Sequence, residues 1–234
     1  MSVTTIVVGT DVKRGMGSAR RVHGALTAGV ERRALVWMAE RAPIWVTSDG
    51  LTALGLSAQV GAGVFFAMAR WGRWALVGVM VCVAMNWLGD SLDGTLARVR
   101  RQERPRYGFY VDHMVDVFGA VTLMGGLALS GLVHGGVAAA MLVGFLVLAS
   151  ESYLATHTLG RFEMSQGWFG PTEIRLLLIA GTAAAMRSPL ATVFGHRWLL
   201  WDVGGEVGAA GMFAMALWVT ARHTAELYRQ ETVR

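Results

Sequence analysis

Four aspartates border two long apolar segments of the 234-residue chain: Asp90, Asp93, Asp112 and Asp116. The members of each pair are three or four residues apart, so each pair occupies one face of a helix. The arginine-rich connection between the pairs is short, which makes the two helices antiparallel neighbours. Four facing carboxylates need a counter-charge in a low dielectric, and all-oxygen ligands favour Mg²⁺ or Mn²⁺ over zinc. The spacing therefore predicts two divalent cations, which suit the transfer of a phosphoryl-type group.

Small residues extend the face that carries the first aspartate pair. Gly94 and Ala97 lie four and seven residues after Asp90, and their nearly bare backbone lets a large group approach the helix. Arg98 follows at once, where it can hold a phosphate through bidentate hydrogen bonds. The alternative is that the aspartates form helix-end salt bridges with the loop arginines. Four acids at helical spacing beside two small residues favour the metal site.

Residues 90–116 resemble the signature of the CDP-alcohol phosphotransferase family, D-x-x-D-G-x-x-A-R followed after a short spacer by G-x-x-x-D-x-x-x-D. The chain reads DSLDGTLAR from Asp90 to Arg98 and GFYVDHMVD from Gly108 to Asp116. All eight signature positions match, and the spacer of nine residues is one longer than the commonest form. The extra residue falls in the predicted loop.

The resemblance implies an integral membrane enzyme of phospholipid synthesis that moves a substituted phosphate group from a CDP-linked donor to an alcohol hydroxyl, releasing CMP. It implies that all four aspartates hold the Mg²⁺ or Mn²⁺ ions and that Asp116 is also the general base. It assigns the CDP-binding pocket to six residues: Asp49, Thr52, Gly94, Ala97, Arg98 and Gly108.

Charged residues near the cytoplasmic ends of the last three predicted spans bear on the acceptor. Arg161, Arg175 and Arg222 would attract a phosphorylated polyol such as inositol phosphate or glycerol phosphate, with CDP-diacylglycerol as donor. Glu173 is a further candidate acceptor-binding residue, and its Gly-Pro-Thr-Glu loop resembles the choline and ethanolamine branch of the family. Both acceptor classes stay open at this point.

Two other classes of protein are weighed against this interpretation. Asn86, Asp90 and Asp93 loosely resemble the acidic motif of intramembrane prenyltransferases, but those enzymes have more spans and a different acidic spacing. A divalent-cation transporter would need ionisable residues deep in several helices. The first predicted span has none, and the third has none beyond Asp116.

The composition predicts that a membrane domain positions these residues. Hydrophobic residues make up 54% of the chain and charged residues 16%, with a mean hydropathy of +0.46. A soluble globule carries about 25% charged residues, so the composition disfavours one. The net charge of +5 suits nucleic acid or an anionic membrane, and the apolar content favours membrane lipids with no nucleic acid. The single cysteine excludes a disulfide within one chain.

Six largely apolar segments are predicted to cross the membrane, a bilayer core requiring ~20 residues each. They are 51–69, 74–89, the two halves of 117–150, 172–186 and 206–223. The predicted fold is an all-α membrane protein of six transmembrane helices plus an N-terminal cytoplasmic juxtamembrane helix. Residues 1–17 are predicted to form a flexible arm, 18–45 the amphipathic juxtamembrane helix and 46–234 the catalytic domain.

The basic residues predict the orientation of these helices. Seventeen of the 21 lysines and arginines lie in the N-terminal segment, the loops after the second and fourth spans, and the tail. Because basic loops stay in the cytoplasm, both termini and the active site are predicted to face it, in the cell (inner) membrane. Trp71, Trp74, Trp198 and Trp201 fall in the predicted outer loops, as an aromatic belt would.

Two surfaces of helices are also predicted from the pattern. Val22, Leu26, Val30 and Trp37 share one arc of the juxtamembrane helix and form its expected apolar face. The family resemblance implies a homodimer, and a Gly-x-x-x-Gly pair at 204 and 208 would allow close helix contact.

Overall fold

The structure, a computed structural model, describes residues 28–160 and 170–231. Within these residues the chain forms seven helices and one short β-hairpin. In chain order they are α1 (Ala28–Arg41), α2 (Ser48–Met68), α3 (Ala75–Val99), α4 (Pro105–Leu129), α5 (Gly135–Leu159), α6 (Pro171–Arg187), β1 (Leu190–Val193), β2 (His196–Leu199) and α7 (Leu200–Gln230).

Five of these helices, α2 to α5 and α7, are long and apolar enough to cross a membrane. Helix α6 coincides with the fifth predicted span, but its 17 residues fall short of the ~20 that a bilayer core requires. The helical fold and five apolar helices of membrane-spanning length are therefore confirmed, whereas the count of six spans and the juxtamembrane position of the N-terminal helix are not. The predicted arm at 1–17 and the first part of the predicted juxtamembrane helix lie outside the described residues.

Helix α1 packs on the bundle through a face that the sequence analysis did not predict. Leu35 and Ala39 are buried against Leu51, Leu92 and Leu96 of the next helices, and they define the apolar side of α1. Trp37, on the predicted membrane-facing side of this helix, is 58% exposed and does not pack in that groove, and the membrane-facing side stays a prediction. Because Leu35 and Ala39 are four residues apart, they form one stripe that fits the groove between α2 and α3.

Helices α2, α3 and α4 form the centre of the fold, and glycines let them approach closely. A Cβ placed on Gly126 of α4 would lie 1.9 Å from the carbonyl oxygen of Gly63 on α2. Only a residue without a side chain fits there. Phe66, Leu76 and Leu127 are almost completely buried beside this contact and form the main apolar core.

The end of the fold farthest from the aspartate motif is also closely packed. Trp201, which was expected in an outer loop, belongs to α7 and is buried, with its ring edge-on to Phe66 at 5.9 Å. Its neighbour Asp202 is buried as well and accepts a hydrogen bond from the backbone N–H of His134, 2.7 Å away, at the start of α5. The prediction for Trp201 was wrong because its packing partner lies 135 positions away in sequence.

The antiparallel hairpin of β1 and β2 directly precedes α7, with Leu190 opposite Leu199. The sequence analysis did not predict it. Trp198 lies in β2 and is exposed, as are Trp71 and Trp74 in the connection between α2 and α3. Arg73 from that connection donates a hydrogen bond to the carbonyl oxygen of Met186 at the end of α6. The connection and the end of α6 therefore lie at the same end of the fold.

Candidate functional site

The four signature aspartates lie towards the ends of α3 and α4 that the short connection joins. Asp90 and Asp93 lie near the end of α3, and Asp112 and Asp116 lie near the start of α4, whose first residue is Pro105. Proline suits a first helical position because its missing N–H would have no partner there. Asp116 is half-buried and interacts electrostatically with the other three aspartates.

The start of α2 holds the second aspartate of the motif. The Thr47 side chain caps α2 by accepting a hydrogen bond from the Gly50 N–H, which fixes where the helix begins. Five residues after Thr47, the Thr52 hydroxyl donates a hydrogen bond to Asp93 Oδ2 at 2.6 Å. The Ser48 hydroxyl also donates to the backbone carbonyl of Asp93 at 3.0 Å. Thr52, a predicted donor-binding residue, therefore contacts the motif directly.

A buried polar chain holds the first aspartate. Arg175 of α6 donates from Nη2 to Asp90 Oδ2 at 2.6 Å and from Nε to Asn86 Oδ1 at 2.9 Å. Asn86 is itself buried and donates from Nδ2 to the Gly55 carbonyl oxygen and to Gln59 Oε1. The sequence analysis did not include Asn86 and Gln59 in the site. The sequence did contain one signal for Asn86, because it is an amide side chain in an otherwise apolar helix, one turn before Asp90.

The helix surface beside the first aspartate pair is open. A Cβ on Gly94 would meet only the Nη1 atom of Arg98, at 3.7 Å, and a Cβ on Gly108 would meet nothing within 4 Å. Ala97 is half-buried on the same helix, and Arg98 donates from Nη2 to the Thr95 hydroxyl at 3.0 Å. These predicted donor-binding residues leave room for a large ligand against α3.

The structure places the other predicted binding residues in different surroundings. Asp49 is exposed and forms an ion pair with Arg104. Glu173 accepts a hydrogen bond from the Gly170 N–H at 2.9 Å and so caps α6. The Arg222 guanidinium lies over the Trp218 ring. Arg161 lies outside the described residues, so its predicted role has no structural counterpart here.

A tyrosine that the sequence analysis left out of the site lies beside the second aspartate pair. Tyr153 of α5 interacts electrostatically with Asp112 and Asp116. Its ring packs edge-on against that of His113, with centroids 4.6 Å apart. The contact joins α5 to the helix of the second pair, and nothing in the local sequence around residue 153 signals it.

The donor atoms of the site suit a hard divalent cation, because carboxylate oxygens are the ligands that Mg²⁺ and Mn²⁺ prefer. Within residues 28–160 and 170–231, no three His, Cys, Asp or Glu side chains are close enough, as placed, to ligate one ion. Arg175 and Thr52 hydrogen-bond the carboxylates of Asp90 and Asp93 instead. The oxygen ligands of the site are of the type that such an ion prefers. To bind it, the carboxylates of Asp90 and Asp93 would have to turn away from Arg175 and Thr52 and towards the ion.

Comparison with known proteins identifies the family. The model of the CDP-alcohol phosphatidyltransferase family matches residues 45–221, from just before α2 into α7, and this range includes all four signature aspartates. No curated protein matches the chain. Members of this family transfer a phosphate-linked group from a CDP-alcohol and generally use divalent metal ions. Because the match covers well over half of its residues, the chain belongs to the CDP-alcohol phosphatidyltransferase family.

Proposed function

We propose that this protein transfers the substituted phosphate group of CDP-diacylglycerol to the hydroxyl of a phosphorylated polyol, such as inositol phosphate or glycerol phosphate, and releases CMP. The observation that carries this choice of acceptor is the position of Arg175. Its guanidinium reaches the aspartate motif from α6 and contacts Asp90. A guanidinium binds phosphate oxygens in a planar, two-pronged manner.

In the proposed reaction Asp116 is the general base. It takes the proton of the acceptor hydroxyl, whose oxygen then forms a bond to the phosphorus that carries the lipid. The bond from that phosphorus to the oxygen of CMP breaks, and CMP leaves with the electron pair. Asp116 suits this role because it is half-buried and lies one helical turn from Asp112, in electrostatic range of Asp90 and Asp93.

The same carboxylates, Asp90, Asp93, Asp112 and Asp116, would hold the two Mg²⁺ or Mn²⁺ ions. The ions would offset the charge of the donor diphosphate and of the leaving CMP. The donor diphosphate would lie along the open surface of α3 at Gly94, Ala97 and Arg98. Thr52 approaches this surface through its hydrogen bond to Asp93, and Asp49 and Gly108, at the starts of α2 and α4, would complete the pocket.

Charge supports a phosphorylated acceptor over an amino alcohol. Arg175 donates through Nε and Nη2, and its Nη1 has no hydrogen-bond partner among the described residues. That nitrogen is available for a phosphate of the acceptor. A choline or ethanolamine head would instead favour an acidic or aromatic pocket. Glu173, which pointed to that branch, caps α6 in the structure, which gives its loop a structural role.

The remaining alternatives are less well supported. The family match favours phosphotransfer over an intramembrane prenyltransferase or a cation transporter. We retain the cytoplasmic placement of the site, the inner membrane location and the homodimer as proposals. For the homodimer, Gly204 and Gly208 leave open space on α7, since a Cβ on either would meet nothing within 4 Å.

The test is CMP release by the purified protein in lipid-containing detergent with CDP-diacylglycerol and one acceptor at a time. We expect turnover with inositol phosphate or glycerol phosphate. Arg175→Ala should raise the apparent KM for that acceptor by about tenfold or more, because a charge-assisted hydrogen bond to the acceptor phosphate is lost. Arg187→Ala, at the far end of the same helix, is the matched control and should leave KM unchanged. Turnover only with ethanolamine, choline, serine or diacylglycerol would contradict the proposed acceptor while preserving the reaction type.

A further inference from the structure

A single carboxylate on α1 joins the two helices that meet at the Arg175–Asp90 ion pair. Glu31 Oε1 accepts hydrogen bonds from the Trp87 indole N–H at 2.9 Å and from the Ser91 hydroxyl at 3.4 Å, both on α3. The Thr172 hydroxyl of α6 donates to the same carboxylate, 3.0 Å from Oε1 and 3.2 Å from Oε2. Three donors from two helices therefore converge on one half-buried glutamate.

The positions of these donors relate Glu31 to the aspartate motif. Trp87 and Ser91 lie three residues before and one residue after Asp90 on α3. Thr172 lies three residues, close to one helical turn, before Arg175 on α6. Fixing these donors to one carboxylate fixes the spacing of the two helices at the ion pair. From this geometry we infer that Glu31 is a positioning residue that sets the contact between Arg175 and Asp90. The inference rests on the proposed function of that pair.

The docking of α1 does not depend on Glu31 alone. Leu35 and Ala39 are buried against α2 and α3 farther along α1. The Arg100 guanidinium donates to the carbonyl oxygens of Ala42, Pro43 and Val46 in the connection after α1. Because these contacts remain when Glu31 is replaced, a variant at Glu31 should fold with α1 in place and lose the link to α6.

Two substitutions separate hydrogen bonding from charge. Glu31→Gln keeps an oxygen that can accept from Trp87, Ser91 and Thr172, whereas Glu31→Ala keeps none. We expect Glu31→Ala to lower kcat/KM for the phosphorylated acceptor by about tenfold, and Glu31→Gln to restore most of it. Glu40→Ala, at an exposed position of the same helix, is the matched control and should behave as the wild type.

A double-mutant cycle tests the link itself. Thr172→Val removes the hydroxyl that joins α6 to Glu31. If the two residues act through one contact, the double variant should be no worse than Glu31→Ala alone. Losses that multiply, or an unchanged kcat/KM in Glu31→Ala, would overturn the inference.

The wild type, Glu31→Ala, Thr172→Val and the double variant are also compared by thermal unfolding in detergent without substrate. This comparison does not depend on turnover. Shifts in Tm that are less than additive would support the link, and additive shifts would overturn it. Failure of the wild-type protein to release CMP with every acceptor would contradict the proposed function. The unfolding cycle would then still decide whether Glu31 joins α3 to α6.

Discussion

The two ends of this helical bundle hold their buried acids in different ways. At the far end Asp202 is 4% exposed and accepts hydrogen bonds from both the backbone and the ring of His134. That pair ties the start of α5 to the start of α7. At the motif end Asp116 interacts electrostatically with the other three aspartates, and the nearby helix surface is open at Gly94.

The difference separates an acid that we expect to be structural from the acids that we propose to be functional. A lone buried carboxylate that caps a helix has its partners supplied by the fold, and its value lies in stability. Several carboxylates beside open space repel one another, and a fold tolerates that cost where a ligand supplies the balancing charge. The predictions below test whether the two ends differ in this way.

The largest effect should come from the proposed base. We expect Asp116→Asn to lower the rate of CMP release by about 10²- to 10⁴-fold, because the amide cannot take up the proton. The thermal unfolding temperature should stay close to that of the wild type or rise, since one of four repelling charges is removed. Asp202→Asn at the far end is the comparison. It should lower the unfolding temperature, at a cost of about 1 kcal/mol for a weakened helix cap, with kcat unchanged. Wild-type turnover in Asp116→Asn would remove that residue from its role.

The next effect concerns the metal. Asp93→Asn should raise the Mg²⁺ or Mn²⁺ concentration needed for half-maximal CMP release by about tenfold or more, because a neutral amide is a weaker ligand for a hard cation. The asparagine oxygen can still accept the hydrogen bond from Thr52, so the start of α2 should stay in place. Asp202→Asn, which alters a buried acid at the far end of the fold, is the control and should leave the metal titration unmoved. A titration of Asp93→Asn that superimposes on that of the wild type would argue against ligation.

A smaller effect should distinguish two glycines of α3. A Cβ on Gly89 would lie 2.6 Å from the Leu51 carbonyl oxygen, so Gly89→Ala forces α2 and α3 apart and should cost about 1–3 kcal/mol of stability. Gly94→Ala has room and should be as stable as the wild type, or more stable by up to about 1 kcal/mol. If the donor lies on that surface, Gly94→Ala should nevertheless raise the KM for CDP-diacylglycerol. Equal unfolding temperatures for the two variants would show that the helices do not pack as closely at Gly89 as described.

The motif helices could be predicted from sequence because their information is local. Helical spacing alone places Asp90 with Asp93, and Asp112 with Asp116, on single faces. The partners of these residues could not be predicted, because they come from distant parts of the chain. Arg175 is 85 positions from Asp90, and Glu31 is 141 positions from Thr172. No periodicity in one segment reveals such a contact.

The errors of the sequence analysis have the same origin. A tryptophan at the end of an apolar run is typical of a membrane interface, and Trp201 was placed there, whereas its contact with Phe66 buries it. The side of α1 that packs on the bundle was not predicted, because the groove beside Leu92 and Leu96 that selects Leu35 and Ala39 is built from distant residues. The hairpin before α7 was missed because its strands have four residues each, too few for an alternating pattern to be distinct.

The last prediction concerns the side of the membrane that the motif end faces. The substitutions that test it should leave the rate of CMP release unchanged. Seventeen basic residues were assigned to one side and four to the other, and the four are Arg70, Arg73, Arg187 and Arg197. The structure brings Arg73 against the carbonyl oxygens of Met186 and Arg187, so the segments that carry these arginines meet at one end. In a Cys82→Ala background, Gln102→Cys in the α3–α4 connection should react with an impermeant maleimide only from the cytoplasmic side. Phe194→Cys at the hairpin tip, which is 99% exposed, should react only from the opposite side. Labelling of Gln102→Cys from outside would invert the orientation and place the aspartates where cytoplasmic CDP-diacylglycerol cannot reach them.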